Sequence, residues 1–352
     1  MRQLRIFCLI MVCLVMSAPF SNIFAQESDT LSGVKTYLLE KTTALQASVE
    51  ALHAASTTYY ELASLTKFDY TLLWNERADA VRAAIEAAKE AWKIASPLYE
   101  QVEGIVAGVP SLSEFDVILD AGASAADDPE NAVPFDLTLP DGRTLEKPGN
   151  LFGLLETTLW GTRKEFVAVE EADLNANNQV EFGEVLPEAN MLKGSADLML
   201  KYTTELSEAA QNWQPTETDA FTALVVMVPT MSEYFEAWKL SRFVAGEAST
   251  QSEFVVISRL ADIQDILGGL EVVYAGLSPR VAAVDTALDK QIGQGLADLR
   301  KYVGDLYTQE QNGKRFSAEE ADLFGSEAQS RAEAIVGQIT QVAAQLNIPL
   351  PQ

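Results

Sequence analysis

EAAKEAWKIASPLYEQVEG, residues 86–104, shows the pattern that decides the fold. Strong helix formers, mainly alanine, glutamate and lysine, carry apolar side chains at the three- and four-residue spacing of one helix face. The same periodicity runs through most of the chain and predicts an all-α protein. The predicted helices cover residues 30–66, 72–106, 148–171, 185–212, 216–245, 251–276, 279–311 and 317–346.

Residues with known positional preferences mark the ends of these helices. Asn150 and Ser317 are good N-caps, and SAEE at 317–320 has the capping-box form. Four further residues mark expected breaks and helix ends: Pro215, Pro279, Gly104 and Gly313.

One stretch does not have helical periodicity. In PFDLTLPDGRTLEKPG, residues 134–149, LTL and RTL lie on either side of Pro-Asp-Gly, which predicts a small β-hairpin. Residues 121–133 are rich in small and acidic residues and are expected to form an exposed loop.

The helices are long and amphipathic, and the connections between them are short. This combination favours two antiparallel helical bundles, each with its own core. We expect a first bundle over residues 26–172, a loop at 173–184 and a second bundle over residues 185–352.

The N-terminal 25 residues are typical of a secretory signal peptide. Arg2 and Arg5 precede the short apolar run FCLIMVCLVM, and cleavage is expected after Ala25. The run is too short for a membrane anchor. Both cysteines, Cys8 and Cys13, lie in this segment, so the mature chain is expected to lack disulfides and thiolate metal sites.

The charge of the chain excludes several classes of partner. The formal net charge is −26, and removal of the signal peptide makes it more negative. Such a chain repels nucleic acid and anionic lipid and attracts cations. After residue 25 no apolar run is long enough to cross a bilayer. We therefore expect a soluble protein, exported to the periplasm or the extracellular space.

DLNANNQVEFGE, residues 173–184, has the spacing of an EF-hand calcium loop. Asn178 occupies the sixth position, where glycine usually provides a positive φ, and asparagine tolerates that conformation. The alternative is an Asn-rich loop that matches by chance. A single weak loop suits a structural joint between two bundles better than a calcium sensor. The predicted calcium ligands are Asp173, Asn175, Asn177, Gln179, Glu181 and Glu184.

The sequence offers few residues for nucleophilic or acid–base catalysis. His53 is the single histidine, and we find no G-x-S-x-G near it, no H-E-x-x-H and no glycine-rich phosphate loop. A second metal site would therefore consist of carboxylates, which suit iron(III), manganese, magnesium or calcium.

Three groups of carboxylates are candidate ligands for such a metal. Glu100 and Glu103 are three residues apart, and Asp116 and Asp120 are four apart, so each pair shares one helix face. Glu156 lies in the apolar run NLFGLLETTLWGT and is expected to be buried. The alternative to a metal is an ion pair between Glu156 and one of three cations: Arg143, Lys147 or Arg163.

These stretches resemble the imelysin-like family, in particular the EfeO-type periplasmic component of iron uptake. The family motifs have the forms H-Y-E-x-I-E-P, L-D-x-x-I-D and G-F-H-x-x-E-x-x-L-W, and SRLADIQDILGGLE at 258–271 resembles a later helix. Leu98 and Gly153 replace the two motif histidines. The acidic positions that match are Glu100, Glu103, Asp116, Asp120 and Glu156.

The resemblance implies an exported, metal-binding protein of iron uptake, with a membrane permease as a candidate partner. A structural calcium site would be added by the loop at 173–184. The alternative is a calcium-stabilised helical scaffold that has lost the metal site. Because both motif histidines are absent, we do not expect the peptidase activity for which the family is named.

Overall fold

A computed structural model describes residues 30–351. The predicted signal peptide and both cysteines lie outside the described residues. The all-α prediction is confirmed: the described residues are 71% helical, and they contain two small two-stranded sheets. Among residues 30–351, no helix is both long and apolar enough to span a bilayer.

The helices follow the predicted order, with several changed ends. Short 3₁₀ segments lie at Lys164–Phe166, Val228–Thr230 and Gly246–Ala248, and a π-helical turn at Val117–Ala121. The α-helices are α1 Ser32–Leu65, α2 Tyr70–Val106, α3 Ser113–Asp116, α4 Leu151–Trp160, α5 Ala189–Asn212, α6 Glu217–Met227, α7 Met231–Leu240, α8 Arg242–Ala245, α9 Arg259–Val284, α10 Thr286–Gln311 and α11 Ala318–Leu346.

Both predicted N-caps and the β-hairpin are confirmed. The Asn150 side chain accepts from the Gly153 backbone N–H, and Ser317 forms a capping box with Glu320. Strands β1 (Leu137–Thr138) and β2 (Thr144–Leu145) pair antiparallel across the expected turn.

Two predicted helices are wrong at one end. The helix expected to reach residue 171 ends at Trp160, because Gly161 adopts a left-handed φ of 70° that closes the helix. After it, β3 (Val167–Val169) pairs antiparallel with β4 (Leu186–Pro187). The helix expected from residue 251 begins at Arg259, and residues 250–258 form a loop whose backbone binds a buried side chain described below.

Two further breaks lie elsewhere than expected. Pro279 lies inside α9, and the interruption comes at Asp285, which is the N-cap of α10. The segment predicted as one helix over 216–245 is interrupted at Pro229, which has non-helical backbone angles.

A seven-residue repeat explains the packing of the first bundle. Leu38, Leu45, Leu52 and Tyr59 recur along α1 and are fully buried. Residues spaced by seven share one stripe of a helix, so α1 presents a continuous apolar seam. Both α2 and α5 pack along α1.

The later helices form a second layered group. α9 packs against α10, and α11 packs against α7 and α10. α9 also packs against α2 and therefore connects the two groups. The sequence placed residues 189–212 in the second bundle, whereas α5 packs with the first because its apolar face meets α1. Division of the chain into two domains stays a prediction.

Glycine allows α2 and α9 to cross closely. A Cβ at Gly104 would lie 2.8 Å from Leu270, and one at Gly269 would lie 2.4 Å from the Gln101 carbonyl oxygen. Gly104 was expected near a helix end, and it lies two residues before the end of α2. Because Gly104 has no side chain, the acidic end of α2 can also lie against α9.

Candidate metal centre

Three elements bring acidic side chains to one buried point. α2 carries Glu100 and Glu103, and Asp120 lies in the π-helical turn that follows α3. Glu100 and Glu103 are 2% and 4% exposed, and Asp120 is 8% exposed. Each offers one carboxylate oxygen, and these three oxygens all lie within 4.8 Å of one another. We call these three residues the inner cluster.

The inner cluster has oxygen atoms that no group among the described residues satisfies. Oε2 of Glu100 and Oε2 of Glu103 are buried and lack hydrogen-bond partners. Burying an unpaired carboxylate oxygen costs free energy unless a cation, a proton or a donor compensates it. Carboxylate oxygens are the ligands that a hard metal ion prefers.

A small cavity adjoins the inner cluster. It has a volume of about 20 Å³, enough for one guest of the size of a water molecule. Glu100 and Asp120 contribute to its wall, and so does Asp262 from α9. The site therefore combines unsatisfied oxygens with space for a single ion.

The remaining polar contacts hold the cluster in place. The Tyr99 hydroxyl donates to Asp116 at 2.7 Å, and the Tyr234 hydroxyl donates to Glu103. Asp116, a predicted ligand, is 8% exposed and already accepts from Tyr99 with one oxygen. Burial, together with repulsion from Glu103 and Asp120, raises the pKa of Asp116 well above its ordinary value, so this carboxyl group lies near the cluster.

Arg259 is the buried cation of the site. Its Nη1 lies 2.9 Å from Asp262 and 3.6 Å from Glu100. Its guanidinium also lies over the rings of Phe254 and Tyr234, at 4.1 and 4.7 Å from their centroids. One guanidinium cannot neutralise the inner cluster together with Asp262, so without a metal ion protons must compensate the rest.

The pKa values express this excess of acid. Burial and, in addition, repulsion from Glu103 raise the pKa of Asp120 to about 7. Burial raises the pKa of Asp262 to about 6, although Arg259 acts in the opposite direction. For Glu100, burial and the neighbouring acid groups raise the pKa well above its ordinary value. Metal binding at neutral pH is therefore expected to release protons.

The stability of the metal-free protein should decrease as the pH rises. An acid whose pKa is raised by folding holds its proton more tightly in the folded state. Its contribution is complete below the ordinary pKa and is lost as the pH rises through the folded value. For Asp120 this window runs from pH 3.8 to about pH 7, and for Asp262 it runs from pH 3.8 to about pH 6. Each group contributes roughly 1.4 kcal/mol per pH unit.

Urea unfolding in the presence of EDTA measures this dependence. The free energy of unfolding at about pH 7.5 should be lower than at about pH 5, and Asp120→Asn should flatten the curve. Equal slopes for wild type and Asp120→Asn would show that Asp120 does not titrate in this window.

Both carboxylate oxygens of Glu156 bind backbone N–H groups. Its Oε2 accepts from the Phe254 N–H at 2.7 Å, and its Oε1 accepts from Val255 and Val256 at 2.9 and 3.0 Å. The ion-pair alternative is wrong, because these donors are backbone amides, and a role of Glu156 as a metal ligand stays a prediction. Burial raises the pKa of Glu156 to about 8, although the three amides lower it.

The predicted cationic partners lie elsewhere. Arg143 pairs with Asp141 and Glu188, and Arg163 lies near Asp127 and Glu253. Lys147 has a positive φ of 39° and donates its backbone N–H to Asp136.

Neither residue that replaces a motif histidine offers a ligand side chain of its own. Leu98 is a half-buried apolar residue. At Gly153, an added Cβ would lie 2.6 Å from Cδ of Glu253, so this carboxyl group occupies the space beside the glycine. His53 lies on α1, and its Nε2 is 2.7 Å from Oδ1 of Asp197.

Sequence reasoning missed Arg259, Asp262 and Tyr234. Arg259 and Asp262 lie in the stretch 258–271, which the resemblance already singled out, but their spacing alone gave no metal signal. Tyr234 lies on α7 and reaches Glu103 only through the fold.

The loop at 173–184 is tightly turned, and Asn178 has the positive φ, 65°, that its position predicted. The Asp173 carboxylate accepts from the N–H groups of Asn177 and Asn178 at 3.1 and 2.9 Å. Glu184 accepts from Asn175 and Glu181 at 3.0 and 2.8 Å.

The surroundings of this loop correct one expectation. The sequence predicted helices on both sides of the loop, over 148–171 and 185–212, and the loop instead connects β3 to β4. The Asn175 side-chain amide donates to Glu181 at 3.2 Å, and the Gln179 backbone N–H donates to the side-chain oxygen of Asn177 at 2.7 Å. The helix–loop–helix frame of an EF-hand is therefore absent around residues 173–184.

A comparison with protein-family models gives one match. The model described as Imelysin matches residues 35–347, which is most of the chain. No curated protein matches the sequence.

Proposed function

The chain belongs to the imelysin family, and we propose that it is an exported, non-enzymatic protein that binds a hard metal ion, iron(III) in particular, for uptake. The family supports an iron-uptake-related role in the periplasm. One observation carries the assignment of the site: Glu100 and Glu103 each have a buried, unpartnered carboxylate oxygen, and both residues belong with Asp120 to a group whose carboxylates come within 4.8 Å of one another. The iron is the cargo of this protein, and a membrane permease is the proposed recipient.

The chemistry of the site favours a hard, highly charged ion. Every side chain of the inner cluster offers oxygen, and the ionised cluster carries several negative charges in a buried place. Carboxylates prefer hard cations, and low local dielectric strengthens their attraction. Arg259 keeps the site from being too negative and orients Asp262.

We do not propose peptidase activity for this site. A metallopeptidase needs a metal-bound water and a base, with ligands that leave one position open. Leu98 and Gly153 stand where the motif histidines would be. Glu156, the motif glutamate, already accepts three backbone N–H groups.

We further propose calcium as a structural ion of the loop at 173–184. The loop offers oxygens from Asp173, Glu181 and Glu184, with the amides of Asn175 and Asn177 between them. Lys89 of α2 donates to the Gly183 carbonyl at 2.8 Å and links the loop to the helix that carries Glu100. Eleven residues separate Lys89 from Glu100, about 16 Å along the helix, so the two sites are distinct.

Thermal unfolding of the chain from residue 26 onward tests both ions. Calcium chloride and ferric citrate should each raise the melting temperature above that in EDTA, and the two shifts should add. Ligand linkage gives about 2.7 kcal/mol for each ion at a hundred times its dissociation constant. Asp173→Asn should abolish the calcium shift alone.

The outcomes distinguish the two candidate functions. Stabilisation by calcium with no effect of iron would favour the scaffold alternative and contradict the uptake proposal. Stabilisation by iron alone would contradict the calcium proposal. One observation supports the scaffold alternative: both carboxylate oxygens of Glu156 already accept hydrogen bonds from backbone N–H groups.

A further inference from the structure

An open cleft of about 410 Å³ connects the surface with the inner cluster. Glu103 and Asp120 line its inner end, and Asp127, Arg163 and Glu253 line its outer part. Exposure rises outward along the acids: Asp120 is 8% exposed, whereas the side chains of Glu253 and Asp127 are 26% and 70% exposed. Carboxylates therefore line the route from solvent to the cluster.

A single guanidinium lies between the two outer carboxylates. Nη2 of Arg163 is 3.4 Å from Oε1 of Glu253 and 3.6 Å from Oδ2 of Asp127. Strong charge-assisted hydrogen bonds are about 2.7–2.9 Å long, so both contacts are loose. Arg163 is thus a cation held by charge, with little directional bonding, at the outer part of the cleft.

Glu253 lines two adjoining spaces. One is the open cleft, and the other is the small cavity beside Glu100 and Asp120. The next residue, Phe254, is fixed by its N–H bond to Glu156, which holds the backbone of Glu253 in place. Its carboxyl group packs against Gly153, where a β-carbon would displace it. A carboxylate in this position can contact an ion on either side.

We propose that Asp127 and Glu253 form an outer site for hard metal cations, and that Arg163 occupies it until an incoming ion displaces the guanidinium. The ion then passes from Glu253 to Asp120 and Glu100. This inference rests on the proposed function, because the outer site has a purpose only if the inner cluster binds metal.

Displacement follows from charge. A divalent or trivalent ion is attracted by two carboxylates more strongly than a singly charged guanidinium, and it can approach their oxygens more closely. Once the ion has moved inward, Arg163 returns to the vacated carboxylates. Arg163 then slows both binding and release, which a purely structural ion pair would not do.

Stopped-flow luminescence with terbium(III) chloride measures this behaviour. Tyr99 and Tyr234, which touch acids of the site, should sensitise terbium bound there. The inner-site phase is the one that disappears in Glu100→Gln/Glu103→Gln. Arg163→Met should raise both the association and the dissociation rate of this phase about tenfold, and Glu253→Gln should lower both about tenfold. Because both rates change together, the dissociation constant should change by less than about threefold.

Two substitutions are matched controls for the change in charge. Lys164→Met removes the neighbouring cation, whose side chain is 80% exposed, and Glu247→Gln removes an acid whose side chain is 98% exposed. Both should leave the two rates unchanged. By a gate we mean the control of ion passage by Arg163. Equal rates in Arg163→Met and Lys164→Met would overturn this gate, and so would a change in the association rate alone.

The failure of the gate is distinguishable from that of the proposed function. If wild type shows no phase that depends on Glu100 and Glu103, the proposed function is wrong and the gate falls with it. If that phase is present and Arg163→Met leaves it unchanged, only the gate is wrong.

Discussion

Glu100→Gln/Glu103→Gln is expected to weaken iron(III) binding about a hundredfold or more while making the metal-free protein more stable. The amide keeps the size of each side chain and one carbonyl oxygen, but it removes two of the three anionic ligands of the inner cluster. The same change relieves the burial of unpaired carboxylates. Stability at about pH 7.5 should rise by about 1–4 kcal/mol in EDTA.

The opposite signs of these two effects separate a lost ligand set from a damaged fold. Competition against a chelator measures affinity, and urea unfolding measures stability. Glu310→Gln is the matched control: Glu310 is 9% exposed, accepts from Trp238 at 2.7 Å and has one unpartnered oxygen outside the cluster. It should retain wild-type affinity. Loss of affinity in Glu310→Gln, or undiminished affinity in the double variant, would contradict the assignment.

Glu156→Ala is expected to destabilise the protein by about 3 kcal/mol or more. The substitution leaves three backbone N–H groups, those of residues 254–256, without their acceptor. These residues carry Phe254 onto Arg259, so the wall of the site should loosen with them. Urea unfolding gives the loss of stability, and hydrogen exchange should show faster exchange at the three amides.

Glu156→Gln serves as the control for this prediction. Its carbonyl oxygen can replace Oε1, which accepts from Val255 and Val256, whereas its amide nitrogen cannot accept from Phe254. The loss of stability should therefore be smaller than for Glu156→Ala. An equal loss in both variants, or unchanged hydrogen exchange at residues 254–256, would refute the anchoring role.

Local sequence signals predicted much of the fold. The three- and four-residue spacing of apolar side chains and the capping box at Ser317 act within a single helix, and a sequence displays them directly. The end of α4 was missed although Gly161, the residue that closes the helix, is visible in the sequence. The loop at 250–258 was missed because it depends on a distant contact. Glu156 binds a backbone about 100 residues further along the chain, and no local pattern contains that partner.

The candidate site was predicted only in part for the same reason. The spacings Glu100–Glu103 and Asp116–Asp120 reveal carboxylates on shared faces, and the fold brings three of these four within ligand distance. Arg259 arrives from α9, because Gly104 and Gly269 let that helix cross α2 closely. Such a crossing is decided by packing between helices that are distant in the sequence.

Anomalous diffraction from crystals soaked with ferric citrate tests the central claim most directly. We expect an anomalous difference peak at the iron edge within about 2.5 Å of the carboxylate oxygens of Glu100, Glu103 and Asp120. An iron peak confined to the loop at 173–184, or no peak at the inner cluster in iron-loaded protein, would contradict the account.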